Sequence, residues 1–451
     1  MKKYVTEAIK KDSLVALERL VNISSYNTPV ESKEGGLPFG KGIDLVLKEA
    51  LQLCEELGMQ TYYDPEGYYG YADYGEGKET VGILCHLDVV PEGDAAKWNT
   101  APFEATELDG VIYGRGTQDD KGPTIATLYA FKALVDAGET FSRKLRFVFG
   151  TDEESLWRGM DKYKKFEDIP DVGFVPDSAF PLTYAEKGLL QFKLIGRGSD
   201  KVKLDCPGAP NVVPAAATYK GDEKELLAKA FSKAGNQYEL TDEQITVHGK
   251  AVHASTAFEG VNAINLLAAQ LVSFQSHPTI SFLAEKVGTE TNGFSIFGKI
   301  SDEISGELTF NVASLSIDEN QSEIMIDMRI PVSFTSMELV KQLKEVAGNY
   351  GLKFQKFDEL PSLYVPKESL LVKTLMDIYK EKTGDLKEPM TSGGATYARS
   401  MPNMVAFGAH FPGSPSLAHQ ENEGIIVEEL YKAMAIYAEA IYQLCCKKSL
   451  E

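Results

Sequence analysis

Apolar residues recur at helical spacing in two stretches near the start of the chain, at positions 5–20 and 43–57. Short runs rich in β-branched and aromatic residues follow at 68–74, 81–90 and 144–149, and a helical pattern at 123–137 separates the last two. Strands alternating with helices predict an α/β domain built on a mixed, largely parallel sheet. From about Lys187 the pattern changes. Strand-like pieces recur at 189–195, 244–247, 308–315 and 323–330, with helical patterns at 263–274 and 336–350, which reads as a second α/β unit. The tail returns to the first style. Residues 404–409 form a short apolar strand, and Val427, Leu430, Met434, Tyr437, Ala438 and Ile441 make one apolar helical face, a core-packing stripe. The expected arrangement is one α/β domain from 1–186 and 385–451, interrupted by an inserted α/β domain at 187–384. Two domains in plain tandem would leave a similar pattern.

Composition narrows the function classes. A chain of 451 residues is too long for one ordinary core, and 43% hydrophobic residues are ample for two. The net charge of −20 argues against nucleic acid as a partner, because phosphate binding needs a basic surface. It also disfavours docking on anionic lipid. The first residues lack the apolar core of a signal peptide, and no apolar run is long enough to span a bilayer. The five cysteines (Cys54, Cys85, Cys206, Cys445, Cys446) form no CxxC pattern, which fits a reducing cytosol.

The chemistry gathers at strand ends. In Val81-Gly82-Ile83-Leu84-Cys85-His86-Leu87-Asp88-Val89-Val90-Pro91, His86 and Asp88 fall on one face of a predicted strand. An imidazole beside a carboxylate there is how a metal-ligating histidine is held, the carboxylate taking the ring N–H that the metal leaves free. The plain alternative is a core histidine with a helpful neighbour. Glycines then flank Asp119 and Asp120 in Gly114-Arg115-Gly116-Thr117-Gln118-Asp119-Asp120-Lys121-Gly122, which marks a tight loop entering a helix. Asp152-Glu153-Glu154 follows one apolar strand, Asp177 follows another, and His419 sits in a polar loop before the last helix. Each alone also reads as a solvated loop or a helix cap. Together they lie where α/β sheets place ligands, and they supply enough nitrogen and oxygen donors for two divalent ions, Zn²⁺ or Mn²⁺.

These motifs, with Pro176-Asp177-Ser178 and His419-Gln420-Glu421-Asn422-Glu423, resemble the aminoacylase/carboxypeptidase G family of dinuclear metallopeptidases, and within it the peptidase V-like dipeptidase branch. Five separated motifs in the family's order span nearly the whole chain. The resemblance implies that Asp119 bridges two metals, one also held by His86 and Asp177, the other by Glu154 and His419. It implies Zn²⁺, with Mn²⁺ or Co²⁺ as alternatives, Glu153 as general base, Asp88 as the orienter of His86, and a cis bond between Asp119 and Asp120. In the insert, Gly249-Lys250-Ala251-Val252-His253-Ala254-Ser255 resembles the family's lid motif, whose histidine, here His253, steadies the oxyanion. Arg329, in Ile326-Asp327-Met328-Arg329-Ile330-Pro331, resembles the arginine that holds the substrate carboxylate; a surface ion pair is the plain reading. Asn211 and Gly394, the latter within Ser392-Gly393-Gly394-Ala395-Thr396-Tyr397-Ala398-Arg399, resemble further cleft-lining positions. His248, His277 and His410 match no motif and read as structural.

The resulting expectation is a cytosolic dipeptidase that acts on short peptides with a free α-amine. Asp177 fits the aminopeptidase and dipeptidase members, since carboxypeptidase-type relatives carry Glu there. The long insert resembles a lid that folds over its own active site, so a monomer fits as well as a homodimer. Two rivals remain. An N-acyl-amino-acid deacylase needs the same metals and base, and a panel of dipeptides against N-acyl amino acids separates the two. A metal- and peptide-binding protein without turnover is the other, and the intact Glu153 and His253 argue against it.

Overall fold

The computed structural model describes residues 4–28 and 37–447. The chain divides into two compact units. One comprises the described residues of Met1–Tyr184, Val365–Met390 and Thr396–Glu451, and the other is Ala185–Tyr364 with Thr391–Ala395. The helix Leu370–Thr383 therefore goes with the first unit, whereas the sequence pattern assigned those positions to the insert. No helix among the described residues is long and apolar enough to cross a membrane.

The centre of the first unit is a run of adjacent parallel strands in the order Lys144–Gly150, Thr80–His86, Val172–Val175 and Met404–Ala406. Gly70–Tyr74 and then Gln60–Tyr63 extend the sheet antiparallel beyond Lys144–Gly150. The central strands are apolar at almost every position and buried nearly throughout, as expected where helices cover both faces of a parallel sheet. The helix Lys121–Asp136 is buried from Lys121 to Phe131 without interruption. The amphipathic helices Glu7–Val21 and Val427–Ile441 pack against it, and its small residues Gly122, Ala126, Ala130 and Ala133 are all buried.

A side chain is excluded where strands crowd. Gly82 and Gly173 are direct neighbours on paired strands, and a Cβ on Gly173 would run into the Gly82 carbonyl. The pairing aligns His86 with Gly150 and Ile83 with Phe174. It thereby brings the carboxyl ends of three parallel strands side by side.

The second unit holds an eight-stranded sheet, antiparallel throughout, in the order Tyr238–Leu240, Ile245–His248, Ala216–Tyr219, Leu204–Cys206, Thr309–Ile317, Gln321–Ile330, Gly188–Arg197 and Lys353–Leu360. Its core packs Phe192, Leu194, Ile324 and Ile326 of the sheet with Leu267 and Leu343 of the helices Ala263–Leu271 and Ser336–Gly348. Lys353–Leu360 is an edge strand, mostly exposed and polar, and its sequence carries little strand signal.

Gly173→Ala is expected to destabilise the first unit by about 1–3 kcal/mol, the usual cost of overpacking. A lower urea midpoint measures this; an unchanged midpoint would mean that the two strands separate without penalty.

Candidate metal centre

Three parallel strand ends and two loops converge on one polar cluster. His86 closes its strand, Glu153 and Glu154 follow Gly150, and Asp177 follows Val175. Asp119 precedes the buried helix Lys121–Asp136, whose N-cap is Asp120 and whose dipole favours negative charge at that end. The Asp119–Asp120 peptide bond is cis, as the family resemblance implies. His419 comes from the loop before the last helix. Its backbone lies in the left-handed region at φ 65°.

The donors fall into two groups, His86 with Glu153 and Asp177, and Asp119 with Glu154 and His419. Within each group the candidate ligand atoms all lie within 4.8 Å of one another. Asp119 touches both. Its Oδ1 is 2.9 Å from His86 Nε2, and its Oδ2 is 3.0 Å from His419 Nε2. Glu154 Oε1 is also 3.0 Å from His419 Nε2. The grouping places Glu153 beside His86 and Asp177 as a candidate donor, where the family resemblance implies a general base.

His86 decides whether a cation fits. Its Nδ1 lies 2.9 Å from the backbone carbonyl of Asp88, which can only accept, so Nδ1 carries a proton in either state of the ring. Nε2 is then the atom that holds a second proton or, in the neutral ring, offers a lone pair. It is buried, has no aligned hydrogen bond, and faces Asp119 Oδ1 and, at 3.6 Å, Asp177 Oδ2. A lone pair and two carboxylate oxygens repel one another unless a proton or a metal ion sits among them. The donor set therefore suits a divalent cation, and the second group, with a histidine and two carboxylates, offers the same chemistry.

The charge balance points the same way. Burial raises the Glu153 and Asp177 carboxyls, and neighbouring carboxylates push them further up. Burial and Asp119 bring Glu154 up to about 7. Burial pulls the His86 ring down, but Asp119, Asp177 and Asp88 together hold it well above its ordinary value. Hydrogen bonds to Asp119 and Glu154 raise His419 to about 11. Burial would raise Asp119, yet the two histidines hold it low.

One expected contact differs. The strand ends at His86, so the side-chain alternation that would pair His86 and Asp88 stops there. The Asp88 carbonyl, not its carboxylate, partners the ring; the carboxylate Oδ1 stands 3.6 Å away. Asp88 Oδ2 instead accepts from the Glu154 N–H at 3.0 Å. Asp88 thus sets the backbone at both His86 and Glu154.

The supporting residues were not singled out from sequence. Glu423 is fully buried, and its Oε1 accepts the backbone N–H groups of Gly116, Gln118 and Asp119 at 3.1, 2.8 and 3.2 Å. Its Oε2 is 2.7 Å from buried Arg115, which also donates to the carbonyls of Gln420 and Pro91. A small antiparallel sheet of Thr106–Leu108, Val111–Tyr113 and Gly424–Ile426 sets this up by pairing Gly424 with Tyr113. Gln118 returns the bond, its Oε1 accepting from Leu417 and Ala418 beside His419. Lys121 donates to the carbonyls of Leu20 and Ile23 at the end of the first helix. The only sequence signal for these residues was that Arg115 and Glu423 lie inside the two loop motifs.

The residues assigned to the insert also gather, within the second unit. The backbone carbonyl of Asn211 accepts from Ala254 at 2.8 Å, and Val212 bridges to His253. A Cβ on Gly393, next to Gly394, would strike Ser255. Arg329 donates to the Gly393 carbonyl at 2.9 Å. His277 caps the helix Pro278–Phe282, and His410 bonds the Pro415 carbonyl, both structural contacts.

Residues 82–443 match the model of peptidase family M20/M25/M40. The chain belongs to this family. It is 35% identical over 435 residues to "Putative dipeptidase YtjP" of Bacillus subtilis (strain 168), covering 91% of this chain and 92% of that protein. The fold is similar to that of the M20 metallo-carboxypeptidase Sso-CP2 of Sulfolobus solfataricus, with a TM-score of 0.63, 20% identity, and 95% and 98% of the two chains covered. It is similar also to human carnosine dipeptidase 1, with a TM-score of 0.61, 14% identity and 96% of each chain covered. The M20 family is one of metal-dependent peptidases, and the paired donor groups of this chain accord with that.

Glu423→Gln leaves Arg115 buried without its counter-charge and is expected to cost about 3–5 kcal/mol of stability. Urea unfolding measures it, and the loosened Asp119 loop should weaken metal retention as well. A second expectation concerns protons. The His419 ion pairs contribute fully below its ordinary value of 6.5 and are lost as pH rises through about 11. A metal ion must displace that proton, because ligating imidazole is neutral. Loading metal-free protein should therefore release protons at pH 7, and affinity should climb with pH. Calorimetry in buffers of contrasting ionisation enthalpy reads the release directly; binding with no proton exchange would contradict it.

Proposed function

We propose that this M20 peptidase is a cytosolic dipeptidase that uses two divalent ions to cleave short peptides with a free α-amine. The observation that carries the reading is Asp119, whose two oxygens face His86 and His419 from opposite donor groups. The relative named as a dipeptidase, similar over nine-tenths of its length, supports the substrate class. Five cysteines without a disulfide support the reducing compartment.

His86 and Asp177 would hold one ion, Glu154 and His419 the other, and Asp119 both. When bound, the ions supply Lewis-acid polarisation of the scissile carbonyl and a water acidic enough to attack at neutral pH. Zn²⁺ suits the nitrogen and oxygen donors, with Mn²⁺ and Co²⁺ as alternatives. Glu153 takes the proton from the attacking water and returns it to the leaving amine. Its raised affinity for a proton, from burial and the surrounding carboxylates, matches that task. Asp88 holds the His86 ring and the Glu154 backbone in place.

The second unit serves as a lid in this reading. His253 donates to the developing oxyanion. Partial desolvation and the Arg329 charge lower its affinity for a proton. Arg329 grips the C-terminal carboxylate, with Asn211 and Gly394 lining the substrate. The reading is tested by reloading metal-free protein with Zn²⁺, Mn²⁺ or Co²⁺ and offering dipeptides beside N-acyl amino acids. Turnover of the N-acyl series alone would replace the dipeptidase by a deacylase, and turnover of neither would leave a binding protein.

Glu153→Gln is expected to lower kcat by about 10²–10⁴-fold, the usual worth of general-base catalysis, with both metals retained. Glu154→Gln should instead lose one metal and recover part of its activity at high metal concentration. Elemental analysis beside kinetics separates the two glutamates; rescue of Glu153→Gln by added metal would exchange their roles.

A further inference from the structure

Asp327 and Arg329 sit two residues apart on the strand Gln321–Ile330, so their side chains rise from one face of the sheet. Asp327 is fully buried and Arg329 nearly so. The carboxylate takes the guanidinium in two parallel bonds, Nε to Oδ1 at 2.7 Å and Nη2 to Oδ2 at 3.0 Å. Oδ2 also accepts from Gln191 Nε2 at 2.8 Å, and Gln191 lies directly opposite Asp327 on the strand Gly188–Arg197. On the other side Asn311 opposes Asp327 in register. Its Nδ2 donates to the Val212 carbonyl at 2.9 Å, and its Oδ1 accepts from Asn262 at 3.1 Å. Gln191, Asp327 and Asn311 thus form a buried polar row across three strands of a sheet whose core is mostly apolar.

Such a row is costly as mere scaffolding, because well-packed apolar residues of similar volume commonly serve stability as well or better. What it achieves here is orientation. A guanidinium has five N–H donors. Asp327 takes the Nε–H and one on Nη2, and the Gly393 carbonyl takes one on Nη1. One N–H remains on each terminal nitrogen, and no described residue accepts it. Gln191 engages the carboxylate with a neutral amide, so it fixes Asp327 without adding charge. The ion pair is already neutral, and what Arg329 offers a ligand is direction rather than net charge.

We infer that Asp327, itself set by Gln191, is the positioning residue that holds the two open N–H donors of Arg329 for a substrate's terminal carboxylate. Selectivity for a free C-terminus then resides in this buried row and not in Arg329 alone. The inference rests on the dipeptidase reading.

The test compares kcat/KM for one dipeptide and its C-terminal amide in the metal-loaded full-length wild type, Gln191→Leu and Asp327→Asn. Wild type should prefer the free carboxylate. Asp327→Asn should shrink that preference by about 10–100-fold, the worth of a charge-assisted hydrogen bond, chiefly through KM. Gln191→Leu keeps the ion pair and its fold, and it should shrink the preference by a smaller factor in the same direction. A purely structural role would lower both substrates together and leave their ratio fixed, and that result in Gln191→Leu would overturn the inference even if Asp327→Asn failed to fold. A wild type that cleaves both substrates equally would overturn the inference and leave the dipeptidase reading standing. A wild type inactive on every dipeptide would overturn both.

Discussion

Carboxylates held close together away from water repel one another, and they lose hydration that nothing apolar replaces. The first unit is organised around that constraint. Asp119, Glu153, Glu154 and Asp177 meet at the ends of parallel strands, with Asp88, Asp120 and Asp152 buried immediately behind them. The fold answers with fixed positive groups. The dipole of the helix Lys121–Asp136 points its N-terminus at Asp119 and Asp120. Backbone N–H groups engage Asp88, Asp120, Asp152 and Glu423. Arg115 neutralises Glu423. These offset the outer acids and leave the inner four short of positive charge, which is the condition under which a site selects divalent cations.

The two units solve different problems with different sheets. A parallel sheet has every strand end of one polarity on one side, so neighbouring strands deliver ligands to a common point without any of them crossing the sheet. His86, Glu153 with Glu154, and Asp177 exploit this, one strand each. An antiparallel sheet has no such shared end, but residues opposite each other lie side by side across several strands. Gln191, Asp327 and Asn311 use that property to build a row in register, in which Gln191 bonds the Asp327 carboxylate and Asn311 is fixed by Val212 and Asn262. Point-like convergence suits an ion, and an extended braced row suits an oriented guanidinium.

Legibility in the sequence followed the range of the interactions. The central strands, the buried helix and the strand-end acids were readable because a run of apolar residues ending in a polar one is a local pattern. The same held for Gly114 to Asp120, where the turn glycines flank the acids. Glu423 was not readable as a support of Asp119, because it lies some three hundred residues away and meets that loop only through the pairing of Gly424 with Tyr113. Asp327 was seen only as a neighbour of Arg329, since its link to Gln191 depends on strand register. Asp88 meets the His86 ring with its backbone carbonyl at 2.9 Å and its carboxylate at 3.6 Å, where the strand pattern predicts the carboxylate as the nearer group. The alternation that predicts its direction holds only inside a strand, and the strand stops at His86. The helix Leu370–Thr383 shows the reverse failure. Its apolar face of Leu371, Val372, Leu375, Met376, Ile378 and Tyr379 is a local signal, and what the pattern lacks is any mark of which core receives it.

Asp152, Glu153 and Glu154 show how one stretch of like charge is made to do three things. The turn after Gly150 sends each side chain elsewhere. Asp152 faces inward and accepts from the N–H groups of Arg158 and Gly159, so it caps the helix Arg158–Phe166 from within the loop. Burial raises it to about 6, and those bonds limit the rise. Glu153 turns toward His86 and Asp177, its carbonyl held by the Trp157 indole at 2.7 Å. Glu154 turns toward Asp119 and His419, its N–H held by Asp88. The loop is thus pinned at its first residue by a helix it caps, at its second by an aromatic ring, and at its third by the Asp88 carboxylate, just past the end of the neighbouring strand. Three anions in succession would otherwise spread into solvent. Pinned in this way, the first stabilises the turn, and the other two are delivered to separate donor groups from adjacent positions in the chain.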